Sequence, residues 1–278
     1  MDNIIAYFEN IPTLHRAIII VGGISFFWVL EGVVPLFYFK YKKWSHAIPN
    51  FFFTSTTIII NFLLAFLLLS TSDWVVSNRF GFIHVFDNFP LIFEVFISIL
   101  LLDFIGAFLA HYIEHKFNPL WMIHLVHHSD HNVDTTTGNR HHPLESLVRF
   151  TFTLIAVLIV GAPIAYVMLY QSLSVVLTQF NHANIKLPKK IDKWLSYLIV
   201  SPNMHKIHHH YQLPYTDANY GNIFSVWDRL FGTYMYLDRE KIIYGVDVFP
   251  DEQKNSNIKE LLKQPFKKYQ RPTKSSKL

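Results

Sequence analysis

Three short stretches of this chain place histidines at helix-face spacing: His111 and His115 in HYIEH, His124, His127 and His128 in HLVHH, and His205, His208 and His209 in HKIHH. Helical residues three and four apart share a face, so each stretch can aim its rings at one point. Neutral imidazole is a good ligand for iron, zinc, copper and nickel. One tetrahedral zinc takes only four ligands, so eight convergent histidines are too many for one ion and suit two. Eight of the sixteen histidines fall between His111 and His142, and four of the six positions from His205 to His210 are histidine. Isolated surface or core histidines do not produce such crowding.

Other residues are candidates around such a centre. His182, in FNHANI, is placed to complete one coordination sphere, and His142, in RHHPLE, is either a ligand or a hydrogen-bonding support. His131, His141 and His210 read as neighbours of the ligands, while His15, His46 and His84 receive no role. Asp103 lies two turns before His111 inside an apolar run, where a polar side chain is costly and usually functional. It can fix the tautomer of a ligand ring or bridge two helices. Glu114 can be a ligand or a supporting base. Arg140, Asp217, Asn219 and Asp228 are candidates for the surrounding hydrogen bonds. Glu31 and Glu94, also within apolar runs, read as paired or interfacial.

The elements that must position these residues belong to a membrane. Of 278 residues, 51% are hydrophobic, only 16% are charged and 26 are phenylalanine, against roughly a quarter charged in soluble proteins. Apolar runs at 17–39, 51–70 and 91–110 approach the roughly 20 residues that span a bilayer. The N-terminal stretch lacks the basic region and cleavage site of a signal peptide, so the first span is expected to be retained. The Lys-rich KYKKW after it predicts a cytoplasmic loop, and the third span then delivers His111 to the cytoplasmic face. A fourth apolar stretch, 147–181, is broken by Gly161 and Pro163. One crossing would strand His182 and the last box on the far side. Two arms of about 16 residues, each about 24 Å long, predict a hairpin that dips in and returns. Asn118-Pro119 and Ser201-Pro202 predict the starts of the two helices that carry the HxxHH boxes.

The expected fold is therefore all-α integral membrane. It forms one domain over 1–278, with about three spanning helices, an inserted hairpin, and a cytoplasmic helical cap at 111–146 and 182–235. A basic tail, 254–278, holds eight Lys or Arg against one acid and reads as solvated chain. Nucleic-acid binding is not expected, since no recognition motif accompanies the charge. The absence of cysteine removes thiolate ligands and iron–sulfur clusters. There is no Gly-rich phosphate loop, and HYIEH is not the zinc-protease HExxH.

The order of motifs resembles the fatty acid hydroxylase/sterol desaturase superfamily. HxxxH at His111, HxxHH at His124, R-x-H-P-x-E from Arg140 to Glu145, lone His182, HxxHH at His205, then Asn219-Tyr-Gly221 and Trp227-Asp-Arg-Leu-Phe-Gly-Thr233 follow its pattern over about half the chain. Two positions depart from it: Lys206, where the family often has Arg, and Tyr112, where its first box often begins His-Arg. The resemblance implies a non-haem di-iron enzyme that uses O2 to hydroxylate or desaturate a C–H bond of a membrane lipid such as an acyl chain, sterol or other isoprenoid. It makes the eight box histidines iron ligands and His182 a ninth. A separate electron-transfer protein is expected, because the chain shows no haem, flavin or ferredoxin-like segment. The alternatives are an integral zinc hydrolase acting on a lipid headgroup and a metal transporter. Polar ligands at mid-depth in several spans would mark the transporter, whereas these boxes gather at span ends.

Overall fold

The computed structural model describes residues 1–86, 89–270 and 272–274; residues 271 and 275–278 of the basic tail lie outside the described residues. Short α1 (Asp2–Glu9) precedes α2 (Thr13–Val33) and α3 (Lys43–Ser77). The next helix is continuous but changes winding: α4 (Leu91–Asp103), a π-helical segment (Phe104–Leu109) and α5 (Ala110–Lys116). Then come α6 (Asn118–His128), α7 (Pro143–Val160), α8 (Ile164–His182), α9 (Lys189–Leu195), α10 (Pro202–His208) and α11 (Val226–Leu230). The fold is an all-α integral membrane one, and among the described residues no strand extends beyond isolated bridges.

Four helical stretches are long and apolar enough to cross a membrane: Thr13–Val33, Lys43–Val85, Leu91–Lys116 and Pro143–Val160. Their outer faces carry apolar side chains that water would not tolerate in such density: Phe62 and Phe66 on α3 are 78% and 80% exposed. Lipid tails satisfy that surface. The first span ends earlier than the apolar run does. Pro35 has no N–H to continue a helix, and the chain instead runs extended against 184–186. Leu36 donates its N–H to the Asn184 carbonyl at 3.0 Å, and Lys186 donates to Val34 at 2.8 Å.

The fourth apolar stretch is two helices. Gly161, at φ +80°, ends α7 in the left-handed region, and Pro163 precedes α8. A side chain at Gly161 would strike the Phe80 carbonyl, so the turn is locked against the 78–84 loop. Residues of α3, α4, α7 and α8 share one core around Leu68, Leu102, Val157 and Val167. Gly106 of the π segment packs between Ala156 on α7 and Tyr170 on α8. α7 leaves the histidine region at Glu145, and α8 returns to it at His182, so the ligands gather at one end of the bundle. The last box helix starts as its Ser-Pro predicts, with the Ser201 hydroxyl accepting from the Met204 N–H.

Candidate metal centre

The nine sequence-selected histidines fall into two groups. His111, His115, His124, His128 and His208 form one; His127, His182, His205 and His209 form the other, with the ligand atoms of each group within 4.8 Å of one another. α5 serves only the first group, and α8 only the second. α6 and α10 serve both, because in an HxxHH helix the two adjacent histidines point about 100° apart. His124 and His128 face the first group while His127 faces the second; on α10, His208 faces the first while His205, with His209 just past the helix end, faces the second.

Hydrogen bonds set the tautomers of four rings. Nδ1–H donates to the Tyr220 carbonyl from His111 at 2.9 Å, to the Ala218 carbonyl from His208 at 2.6 Å, and to the Thr178 carbonyl from His182 at 2.8 Å. His124 donates Nδ1–H to the Glu145 carboxylate at 2.8 Å. Each of these rings is left with a bare Nε2 lone pair. The bare Nε2 atoms of His111 and His124 are nevertheless only 3.1 Å apart, and in the second group the ring nitrogens also converge, with Nε2 of His205, His127 and His209 at 2.9, 3.2 and 3.3 Å from the bare Nε2 of His182. Converging bare lone pairs repel unless a cation lies between them. Nitrogens about 2.1 Å from a common ion sit roughly 3.0–3.4 Å apart in octahedral or tetrahedral order, which these spacings match.

The rings are also held neutral. Burial, reinforced by the neighbouring imidazoles, keeps His124, His127, His128 and His209 well below the ordinary imidazole range. Burial drives His182 and His208 down to about 3. Buried Nε2 of His115 and of His208 has no hydrogen-bond partner among the described residues. Such a set of uncharged, dry nitrogen donors fits metal ions and little else.

The surrounding candidates act through other groups. Asp228 accepts from the backbone N–H of Tyr220 and Gly221 at 2.7 and 2.8 Å and from the Thr233 hydroxyl at 2.7 Å, fixing the carbonyl that holds His111. Asn219, at φ +56°, ties the Met204 and Met235 backbones together. Glu114 is 3.8 Å from His124 Nδ1 and is paired with Arg149 at 2.7 Å. Asp103 touches no imidazole; it accepts from Ile223 N–H, Phe224 N–H and Trp227 Nε1, so it anchors the loop rather than a ligand tautomer. His142 caps α7 through the Leu144 N–H, and Arg140 clamps the Val126 carbonyl, Asn50 and Ser129. Neither joins a ligand group. Asp217 accepts from Tyr220 Oη and pairs with Lys116. His141 packs on His127, with ring centroids 5.0 Å apart. His46 receives a structural task, pairing with Asp130 at 2.8 Å and Asp134 at 3.2 Å. Glu31 accepts from Thr135 and Asn184 N–H, and Glu94 from Tyr166 Oη.

Two participants lie outside the sequence-based candidates: Glu145, there only part of a motif, and Arg149, which holds Glu114 and Glu145 together. The signal was available: Glu145 and Arg149 are four apart on a helix, a spacing that favours an ion pair.

Comparison with known proteins agrees with this geometry. A family model described as fatty acid hydroxylase matches residues 95–233, which contain every histidine of both groups. The chain is 26% identical to the ornithine lipid hydroxylase OlsE of Rhizobium tropici over 53% of this chain and 44% of the relative. It is 29% identical to an alkylglycerol monooxygenase of Danio rerio and 25% identical to that of Homo sapiens, each over 60% of this chain and 37% of the relative. The match thus spans less than half the length of these curated relatives. No solved structure matches the chain.

Proposed function

The chain belongs to the fatty acid hydroxylase family, and from that premise we propose that it is a di-iron enzyme using O2 to hydroxylate, or desaturate, a C–H bond of a membrane lipid. The observation that carries this reading is the division of nine buried imidazoles into neighbouring sets of five and four. A four-coordinate zinc would leave most of them idle. When bound, an iron pair supplies the oxidising power that side chains lack. The relatives' names, a lipid hydroxylase and alkylglycerol monooxygenases, support a lipid substrate.

The protein's own part is orientation and exclusion of water. The Tyr220, Ala218 and Thr178 carbonyls and Glu145 hold rings with Nε2 forward, and such outer hydrogen bonds raise ligand basicity as well as fixing geometry. The carboxylates of Glu114 and Glu145, bridged by Arg149, place compensating charge beside the first group. The apolar bundle beneath the centre offers a lipid tail an approach that keeps water out. The Lys-rich segment before α3 lies on the same side as the cap, since Tyr41 donates to Asp134 and His46 pairs with Asp130. The positive-inside rule then puts the centre on the cytoplasmic face, where a separate electron-transfer protein would dock.

Metal analysis with a turnover assay tests the reading. Expected are two irons per chain and a lipid product that gains one oxygen or loses two hydrogens, formed only with O2 and a reductant. One zinc per chain with product formed in the absence of O2 would replace this reading with a lipid-headgroup hydrolase.

A further inference from the structure

Away from the histidines, a cavity of about 420 Å³ opens between α9, α10 and the segment after α2. Its inner wall is apolar and buried: Ile185, Met204 and Ile207. Its outer edge is basic, with Lys189 and Lys193 exposed and Arg239 half-buried. One lining acid, Asp192, accepts the Asn203 N–H at 3.3 Å. Glu240 lies at the exposed edge, 3.9 Å from Lys189 and 3.6 Å from Arg239. Counting the sequence neighbours Lys186, Lys190 and Asp238, five basic residues stand against three acids along this edge.

The height of this cavity is set by the fold. Leu36 lines it three residues after the first candidate span ends at Val33, and Ile185 lines it three residues after α8 ends. Beside it, Ile191, Trp194 and Leu198 recur at helical spacing and are 52%, 73% and 73% exposed. Exposed aromatic and aliphatic side chains flanked by lysines mark a segment lying in the membrane interface. Met204 and Ile207 flank ligand His205 on α10, so one helix separates cavity and metal group.

We propose that this cavity binds the headgroup of an anionic membrane lipid. The lysines and Arg239 take the negative charge, the apolar wall takes the glycerol region, and the Trp194 face seats the rim in the leaflet. A lipid is favoured over free phosphate because the apolar wall and exposed face would serve nothing in a soluble anion's site. The proposal rests on the membrane placement given above and is independent of the redox reading.

The test uses the purified full chain in detergent, offered equimolar phosphatidylglycerol and phosphatidylcholine with identical acyl chains, and native mass spectrometry of the lipid retained. Each basic residue near an anionic headgroup is worth about fivefold in affinity, so phosphatidylglycerol should be retained at least about fivefold over phosphatidylcholine. The ratio should fall toward one in the Lys189→Gln/Lys193→Gln/Arg239→Gln variant. In the unaltered chain it should fall in 1 M salt, a measurement that needs no variant to fold. Equal retention by the unaltered chain, or a preference that survives both the triple substitution and salt, overturns the proposal. Displacement of the lipid by millimolar inorganic phosphate also overturns it, by making this a free-anion site. Zinc in place of iron would end the oxidative reading and leave the lipid ratio intact.

Discussion

The two histidine groups share α6 and α10 yet are supported differently. In the first, three of five rings are locked by outer hydrogen bonds from His111, His124 and His208, and one of those partners is a carboxylate held by an arginine. In the second, only His182 is locked; Nδ1 of His127, His205 and His209 has no partner among the described residues. The first group is thus more firmly pre-set, with Glu114, Glu145 and Arg149 beside it, and the second is looser. A tight, anionically backed position favours retention of an ion. A looser, four-nitrogen position leaves more room for an exchangeable ligand.

The largest test removes a ligand outright. His128→Ala should abolish activity and cut bound metal to roughly half while membrane insertion persists; near-normal turnover would refute the assignment of His128 as a ligand. Glu145→Gln should be next. Removing the carboxylate behind His124 is expected to weaken metal binding at the first group about 10- to 100-fold, with the second unchanged, read by metal titration followed spectroscopically. Equal weakening at both groups would show that they do not act separately.

Acid should act on both groups alike. His182 and His208 are held at about 3 in the fold, against roughly 6.5 in the unfolded chain. Between those values the unfolded state binds more protons, so stability is present above about pH 6.5 and declines as pH falls toward 3. Melting temperatures of the metal-free protein across that window should drop, and His182→Asn and His208→Asn should each flatten the slope. The smallest effect is expected from Asp228→Asn. It weakens three hydrogen bonds two steps from the metal, costing about 1.5–3 kcal/mol in thermal unfolding while metal stoichiometry is kept.

Much of this was legible from residue spacing. The nine histidines that gather into the two groups are all legible in the sequence, because helical periodicity projects directly onto a face. Hydropathy marked the membrane helices, and Gly161 with Pro163 marked the break in the fourth stretch. What spacing did not reveal has a common cause: the support comes from backbone. The carbonyls of Thr178, Ala218 and Tyr220 have no side-chain signature, so any residue type there would read the same. Asp103 was noticed for its cost in an apolar run, but its partners are N–H groups some 120 residues away, which no local pattern encodes. Pro35 shortened the first span, a stop that the uninterrupted apolar run concealed.

The π-helical turn at Phe104–Leu109 works as an angular offset. A single additional residue within a helix re-phases everything downstream by about 100°, so this turn sets the angle between Asp103, which grips the 223–227 loop, and His111 and His115, which join the first histidine group. Deleting one residue there should yield a straighter rod that still crosses the bilayer yet points two of its imidazoles away from their companions. In this chain the register of one membrane helix is therefore as much a part of the metal's address as the histidines themselves.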